Sequence, residues 1–338
     1  MFSTGNLCLG KKIRNCKMLK IENYSLTLNG TYGQALPVLE NINLHIKKGT
    51  CLGVAGESGS GKSVMAMSIV GLIPQASIKS SEGHIYVNGV ETTNATEKAL
   101  NKIRGKEVGF VFQEPMTAMN PLMKLSEQIG EVVYAHNESV GENEVKRIVI
   151  SALLRAGFKE PEKFLDSYPH QLSGGMRQRA MMAMALVMDP KLIIADEPTT
   201  AIDAELQIQV LKELRKQIDE HGLSMLFISH DLGVLRSISD DIAVLYCGNL
   251  VEVGPADEIL KNPKHPYTAD LISALPRLVA ERKLPKPING TLPSPDNKPI
   301  GCVYADRCKR AKDNCWNKRP ELVKVGDNHW AACWAQRA

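Results

Sequence analysis

The chain is 338 residues long, 43% hydrophobic and 23% charged, which is the composition of a globular protein and excludes a disordered one. No apolar run reaches the ~18 residues of a membrane helix, and the longest, Ala180 to Met188, is about half that. A formal net charge of +4 is too mild to argue for lipid or nucleic acid, so no nucleic-acid partner is expected.

Residues Met1 to Gly10 lack the sustained apolar core of a signal peptide, so a cytosolic compartment is expected. The patterned sequence begins at Met18, an alternative start, and residues 1–17 read as a disordered extension. Leu19 to Leu28 and Val38 to Ile46 are expected strands, separated by the turn-rich Asn29-Gly30-Thr31-Tyr32-Gly33. Tyr32 is a candidate to fold back and stack on an adenine, with an exposed loop tyrosine as the equal alternative.

Next comes the short apolar strand Cys51 to Ala55, followed by Gly56-Glu57-Ser58-Gly59-Ser60-Gly61-Lys62-Ser63 and then by apolar residues at helical spacing from Val64 to Leu72. Strand, G-x-x-x-x-G-K-S and helix in that order read as a phosphate-binding P-loop. The glycines let successive N–H groups point inward, and the helix start adds its positive end, so a polyanion is held mainly by main chain. Lys62 would reach the β- and γ-phosphates, and the Ser63 hydroxyl would hold Mg²⁺. A flexible Gly/Ser turn would explain neither Lys62 nor the flanking elements.

His84 to Val87 with the turn Asn88-Gly89 extends the β-lobe. Val108 to Phe112 is an expected buried strand that delivers Gln113 to the carboxyl edge of a sheet, where α/β proteins bind ligands. From Leu125 to Met188 the pattern is helical, with helices expected over Leu125 to Tyr134, Glu142 to Ala156 and from Ser173 onward. In Leu172-Ser173-Gly174-Gly175-Met176, Ser173 is a good N-cap and the glycines expose N–H groups, a second helix start suited to an anion. The apolar run Lys191 to Ala195 ends in Asp196-Glu197. In a P-loop protein Asp196 would anchor Mg²⁺ and Glu197 would polarise the water that attacks the γ-phosphate. Ser224 to Ile228 is a further core strand ending at Ser229-His230-Asp231, so His230 is a candidate γ-phosphate contact. Strands Asp241 to Tyr246 and Leu250 to Val253, turning at Cys247-Gly248-Asn249, close the α/β core.

Beyond the core, six of the 18 prolines fall between Pro276 and Pro299, which reads as an extended linker. Four of the eight cysteines lie in the last 37 residues: Cys302, Cys308, Cys315 and Cys333. In a reducing cytosol such thiols are core residues or metal ligands. Their wide intervals match neither a zinc ribbon nor a ferredoxin run.

The P-loop, Gln113, Leu172 to Met176, Asp196-Glu197, Ala201-Ile202-Asp203 and His230, in that order, resemble the motif set of an ATP-binding cassette (ABC) ATPase. The resemblance implies an α/β fold, a P-loop ABC ATPase core with a RecA-like sheet, an antiparallel β-lobe and a helical subdomain. It also assigns roles. Gln113 becomes the Q-loop glutamine, a Mg²⁺ contact and part of the catalytic set with Glu197 and His230, and His230 becomes the switch histidine. Ser173, Gly174 and Gly175 become the signature motif serving a partner's ATP, and Asp203 belongs to the D-loop, where Ile202 replaces the usual leucine. Asn262 to Thr268 and the cysteine-bearing tail resemble the peptide branch of the oligopeptide, dipeptide and nickel importers, with nickel or metal-chelate import and a soluble ABC ATPase as alternatives.

The implied domains are an extension at 1–17, a nucleotide-binding domain at 18–261 with its helical subdomain at about 115–188, and a small irregular cysteine-containing extension at 262–338. The implied cofactors are ATP and Mg²⁺. The four cysteines are expected to hold a [4Fe-4S] cluster, with zinc in a Cys₃His site using His329 as the alternative. The implied partners are a second ABC ATPase subunit, two transmembrane permease subunits and an extracytoplasmic peptide-binding protein, with the chain peripheral on the cytoplasmic face of the membrane.

Overall fold

Residues 17–199, 204–274 and 287–336 are described by the computed structural model. The expected extension at 1–17 (Lys17 apart), the D-loop residues Ala201 to Asp203 and part of the proline-rich linker lie outside the described residues. The strands in chain order are β1 (Lys17–Asn29), β2 (Ala35–Lys47), β3 (Cys51–Ala55), β4 (Ile78–Val87), β5 (Val90–Glu91), β6 (Val108–Val111), β7 (Leu192–Asp196), β8 (Ser224–Ile228), β9 (Asp241–Tyr246), β10 (Asn249–Pro255), β11 (Val323–Gly326) and β12 (His329–Ala331). The chain divides into two compact units, one of Ile46–Thr50 and Asn94–Leu226, the other of Leu19–His45, Cys51–Thr93 and the chain from Phe227. It passes between them within β8, whose five residues are all buried.

The unit that carries the P-loop contains the antiparallel β-lobe, with strand order β2-β1-β4-β5. Leu19 faces Val87 and Ile21 faces Ile85 across β1 and β4, and all four are buried. Along β2 the period of two is plain: Ile42, Leu44 and Ile46 are buried while Asn43 and His45 are exposed. The same unit holds β11-β12-β10-β9-β3 as neighbouring strands, β3 and β9 being parallel and the rest antiparallel. Both β3 and β9 read as near-continuous apolar runs because a parallel pair is covered on both faces.

The tail is less irregular than expected. Its β11–β12 hairpin adds to the edge of β10, with Glu252 opposite Ala331. The strands are only four and three residues long, too short to stand out by periodicity. Glu40 of β2 ties the tail down further, pairing with Lys298 at 2.6 Å and with Arg319. By compactness, then, the extension groups with the P-loop and β-lobe.

In the other unit β6 and β7 run parallel, and the helices Leu125–His136, Glu142–Arg155 and Gly174–Leu186 pack together. The first two bury one stripe each, Leu125, Ile129 and Val133 on one and Val145, Val149, Ala152 and Leu153 on the other. Gly174–Leu186 is buried on most sides and passes so close to β6 that a Cβ on Gly109 would sit 2.2 Å from the Ala185 carbonyl oxygen.

Candidate functional site

The P-loop is built as the strand-to-helix hand-over predicts. β3 ends at Ala55, and a Cβ on Gly56 would meet the Leu245 carbonyl oxygen at 2.3 Å, so no other residue fits where the loop leaves the sheet. Gly61 has φ +102° and opens the helix Lys62–Ile69, a conformation that favours glycine. The loop closes on itself through the Ser60 N–H to the Glu57 carbonyl at 3.2 Å, and the β9–β10 turn supports it through the Gly248 N–H to the Ser60 carbonyl at 2.8 Å. Lys62 is buried, and its ammonium donates to the carbonyls of Gly56 and Glu57, both at 2.9 Å. A positive charge therefore stands at the loop itself. Ser58 and Gly59 are exposed, Ser63 is half-buried, and Ser60 is buried. Tyr32 is 93% exposed in the β1–β2 turn, its ring in solvent.

Also in this unit, β8 runs out into Ser229, His230 and Asp231. The Ser229 hydroxyl accepts the Asp231 N–H, and the Asp231 carboxylate caps the helix Leu232–Ile238 through the N–H groups of Gly233 (2.7 Å) and Val234 (3.3 Å). These two caps fix the backbone on either side of His230, whose side chain is exposed.

In the other unit the register of β6 and β7 sets Val111 opposite Ala195. Two residues further along each chain stand Gln113 and Glu197, and Gln113 Nε2 donates to Glu197 Oε2 at 3.3 Å. Glu197 has φ +47°, an uncommon backbone state for a glutamate and one found where structure is built around function. Asp196, the last residue of β7, is buried. Ser173 caps Gly174–Leu186, its hydroxyl accepting the Met176 N–H at 3.3 Å.

The four tail cysteines line one pocket together with His265, Tyr304, Arg310 and Lys312. Two of the sulfurs accept a backbone N–H, Cys308 from Arg310 and Cys315 from Lys312, both at 3.4 Å. Burial pushes the Cys302 thiol up to about 11 and moves Cys308 and Cys333 in the same direction. Among the described residues no group of three or more His, Cys, Asp or Glu side chains converges on a single ion-sized point. His329 does not line the pocket, and its Nε2 is paired with Glu252 Oε1 at 2.7 Å, both residues being buried. The reading of His329 as a ligand is therefore corrected: it serves the β10–β12 junction.

Three site-related residues are missed by reading the sequence. Glu252 accepts the Lys264 and His265 N–H groups as well as His329. A charge inside the apolar run Leu250 to Val253 was its signal. Tyr267 and Arg307, which reach the P-loop, carried none.

A family model for the ABC transporter matches residues 39–200, and one for the oligopeptide/dipeptide transporter C-terminal region matches residues 251–315. The oligopeptide transport ATP-binding protein AppD of Bacillus subtilis is 40% identical over 301 residues, 89% of this chain and 92% of that one. OppD of the same organism, also an oligopeptide transport ATP-binding protein, is 41% identical over 327 residues, covering 95% and 90%. Among solved structures, a dimeric ATP-binding cassette in a post-hydrolysis state with ADP and Pi is similar at a TM-score of 0.64 and 30% identity, covering 71% of this chain and 99% of that one. The chain belongs to the ABC transporter family of ATPases.

Proposed function

We propose that this chain is the ATP-hydrolysing subunit that energises peptide import through an ABC transporter. The observation that carries the reading is the P-loop with its buried Lys62, set in a chain that matches peptide-transport ATPases over about nine-tenths of its length. Gly56 to Ser63 hold the phosphates of ATP, and Ser63, Gln113 and Asp196 serve its Mg²⁺, which takes oxygen ligands. Glu197 is the general base. Its carboxylate accepts the Gln113 amide, which keeps an acceptor oxygen oriented for an attacking water. His230 contacts the γ-phosphate, Tyr32 covers the adenine, and Asp203 belongs to the D-loop.

Ser173 to Gly175 serve the ATP of a second cassette packed head to tail, since they form a helix N-terminus in addition to the one at Lys62. Two permease subunits and an extracytoplasmic peptide-binding protein complete the transporter. The chain itself lies peripherally on the cytoplasmic face of the membrane; among the described residues no helix is long and apolar enough to cross one. Purification of the chain with its permease from detergent tests this: ATPase activity stimulated by a peptide-loaded binding protein supports it, and stimulation by nickel chelates alone overturns the substrate class.

Cys302, Cys308, Cys315 and Cys333 fit an iron-sulfur cluster, [4Fe-4S], held in a structural role. Four cysteines on one pocket are the right donor set, and the N–H···S bonds to Cys308 and Cys315 are of the kind that stabilises thiolate ligands. A single zinc ion needs four ligands converging at about 2.3 Å, and its fourth ligand is not His329. Anaerobic purification with iron, sulfide and zinc analysis decides: about four iron per chain supports the cluster, and about one zinc replaces it.

A further inference from the structure

Glu57, the second residue of the P-loop, is held by two side chains from the C-terminal extension. The Tyr267 hydroxyl accepts the Glu57 backbone N–H at 2.9 Å. The Arg307 guanidinium grips the Glu57 carboxylate, Nη1 donating to Oε1 at 3.0 Å and to Oε2 at 3.1 Å, and Nη2 to Oε2 at 3.2 Å. Arg307 is itself locked. Its side chain is 5% exposed, Nε donates to the Asn289 carbonyl at 2.8 Å and Nη1 to the Tyr246 hydroxyl at 3.2 Å.

Behind it lies a mutually packed trio of buried tyrosines, Tyr246 of β9, Tyr267 of the helix Pro266–Ser273, and Tyr304 of the tail. The guanidinium lies 5.8 Å from the Tyr246 and Tyr304 ring centres, and the Tyr304 hydroxyl donates to Asp270 at 2.5 Å. Leu292 of the extension also packs beside Gly59. These contacts address the loop's backbone directions, which are what a P-loop uses to bind phosphate. A planar fork on a carboxylate fixes orientation as well as charge, and an ammonium does not.

We infer that Arg307 and Tyr267 are positioning residues for ATP, through which the C-terminal extension sets the P-loop and hence the affinity for nucleotide. This rests on the assignment of Gly56 to Ser63 as the ATP site. The Arg307 fork and the Tyr267 hydroxyl lie on Glu57, not on the phosphates, so their removal tilts the loop without removing Lys62 or Ser63. The loss then falls on binding of ATP and little on the turnover of bound ATP.

The test uses the full chain, with a fluorescent ATP analogue for equilibrium binding and the assembled transporter for steady-state hydrolysis. Arg307→Gln is expected to weaken binding about tenfold and to raise the KM for ATP equally, with kcat within about twofold. Arg307→Lys should recover only part of the affinity. The double variant Glu57→Gln/Arg307→Gln should bind no more weakly than the worse single variant, because the two act as one unit. Affinity within twofold of the parent in Arg307→Gln, or losses that multiply in the double variant, overturns the inference. Should Arg307→Gln fail to fold, Tyr267→Phe carries the same test with the aromatic packing retained, and unchanged affinity there overturns it. Lys62→Ala separates the two readings. Binding lost in Lys62→Ala but kept in Arg307→Gln removes only this inference, whereas binding kept in Lys62→Ala removes the ATP-site assignment with it.

Discussion

The P-loop and the cysteine pocket of the same compact unit both turn backbone N–H groups toward a site of negative charge, and they arrive there differently. The P-loop is eight consecutive residues. Its geometry follows from glycines that tolerate a left-handed or crowded backbone, and its cation, Lys62, is part of the motif. The pocket gathers four sulfurs from 302 to 333, two of which, Cys308 and Cys315, take an N–H from within three residues of themselves, and the four are brought together by tertiary structure. A contiguous site takes its shape from its flanking strand and helix, with the β9–β10 turn, Tyr267 and Arg307 as outside supports, whereas a dispersed one is assembled only through the β11–β12 hairpin and the links from Glu40 and Glu252. The first should fail by losing chemistry and the second by losing architecture.

The largest expected effect lies at the first site. Lys62→Ala should abolish measurable ATP binding, because it removes the charge the loop is built around. Glu197→Gln should keep binding while turnover falls ~10²-fold or more, the scale of a lost general base. Equilibrium binding and single-turnover hydrolysis, in a complex whose partner cassette is blocked, separate the two. Unchanged turnover in Glu197→Gln would move the base elsewhere.

How much of this was legible follows the same division. β3, β8 and β9 matched the apolar runs almost residue for residue, because a strand covered on both faces must be apolar throughout. Gln113 and Glu197 were placed at one sheet edge from the ends of two runs, and the parallel register sets them side by side. What the sequence hid was contact between distant segments. Nothing local marks Arg307 as the partner of Glu57, 250 positions away, or His329 as the partner of Glu252. His329 looked like a ligand because it stands near cysteines in the chain, and a buried carboxylate from another strand decides its role instead.

That carboxylate sharpens the contrast. Glu252 is fully buried and accepts from His329, from the Lys264 N–H at 2.6 Å and from the His265 N–H at 2.9 Å. Glu252→Gln puts an amide NH₂ where one of these donors needs an acceptor, and a buried donor left unmatched costs about 1–3 kcal/mol. Thermal unfolding of the full chain should show the loss, and the iron of the proposed cluster should fall with it as the hairpin loosens, while the affinity of the remaining folded protein for ATP changes far less. Equal losses of iron and of ATP affinity would mean that pocket and P-loop fail as one body.

The smallest expected effect concerns Ser173, which opens the helix Gly174–Leu186 as Gly61 opens Lys62–Ile69. The two starts differ in that Ser173 supplies a side-chain cap, its hydroxyl taking the Met176 N–H, and Gly61 supplies none. Ser173→Ala should therefore lower stability by about 1 kcal/mol, the ordinary worth of an N-cap. Ser173→Asp keeps a capping oxygen and favours the helix dipole, so its melting temperature should stay at the parent value. It also places a carboxylate where the proposed partner's phosphates would lie. If Ser173 serves a second cassette, Ser173→Asp suppresses hydrolysis at the partner's P-loop and leaves this chain's own nucleotide binding intact. If Ser173 is only a cap, stability and hydrolysis move together: Ser173→Asp behaves as the parent in both, and Ser173→Ala shows a small deficit in each.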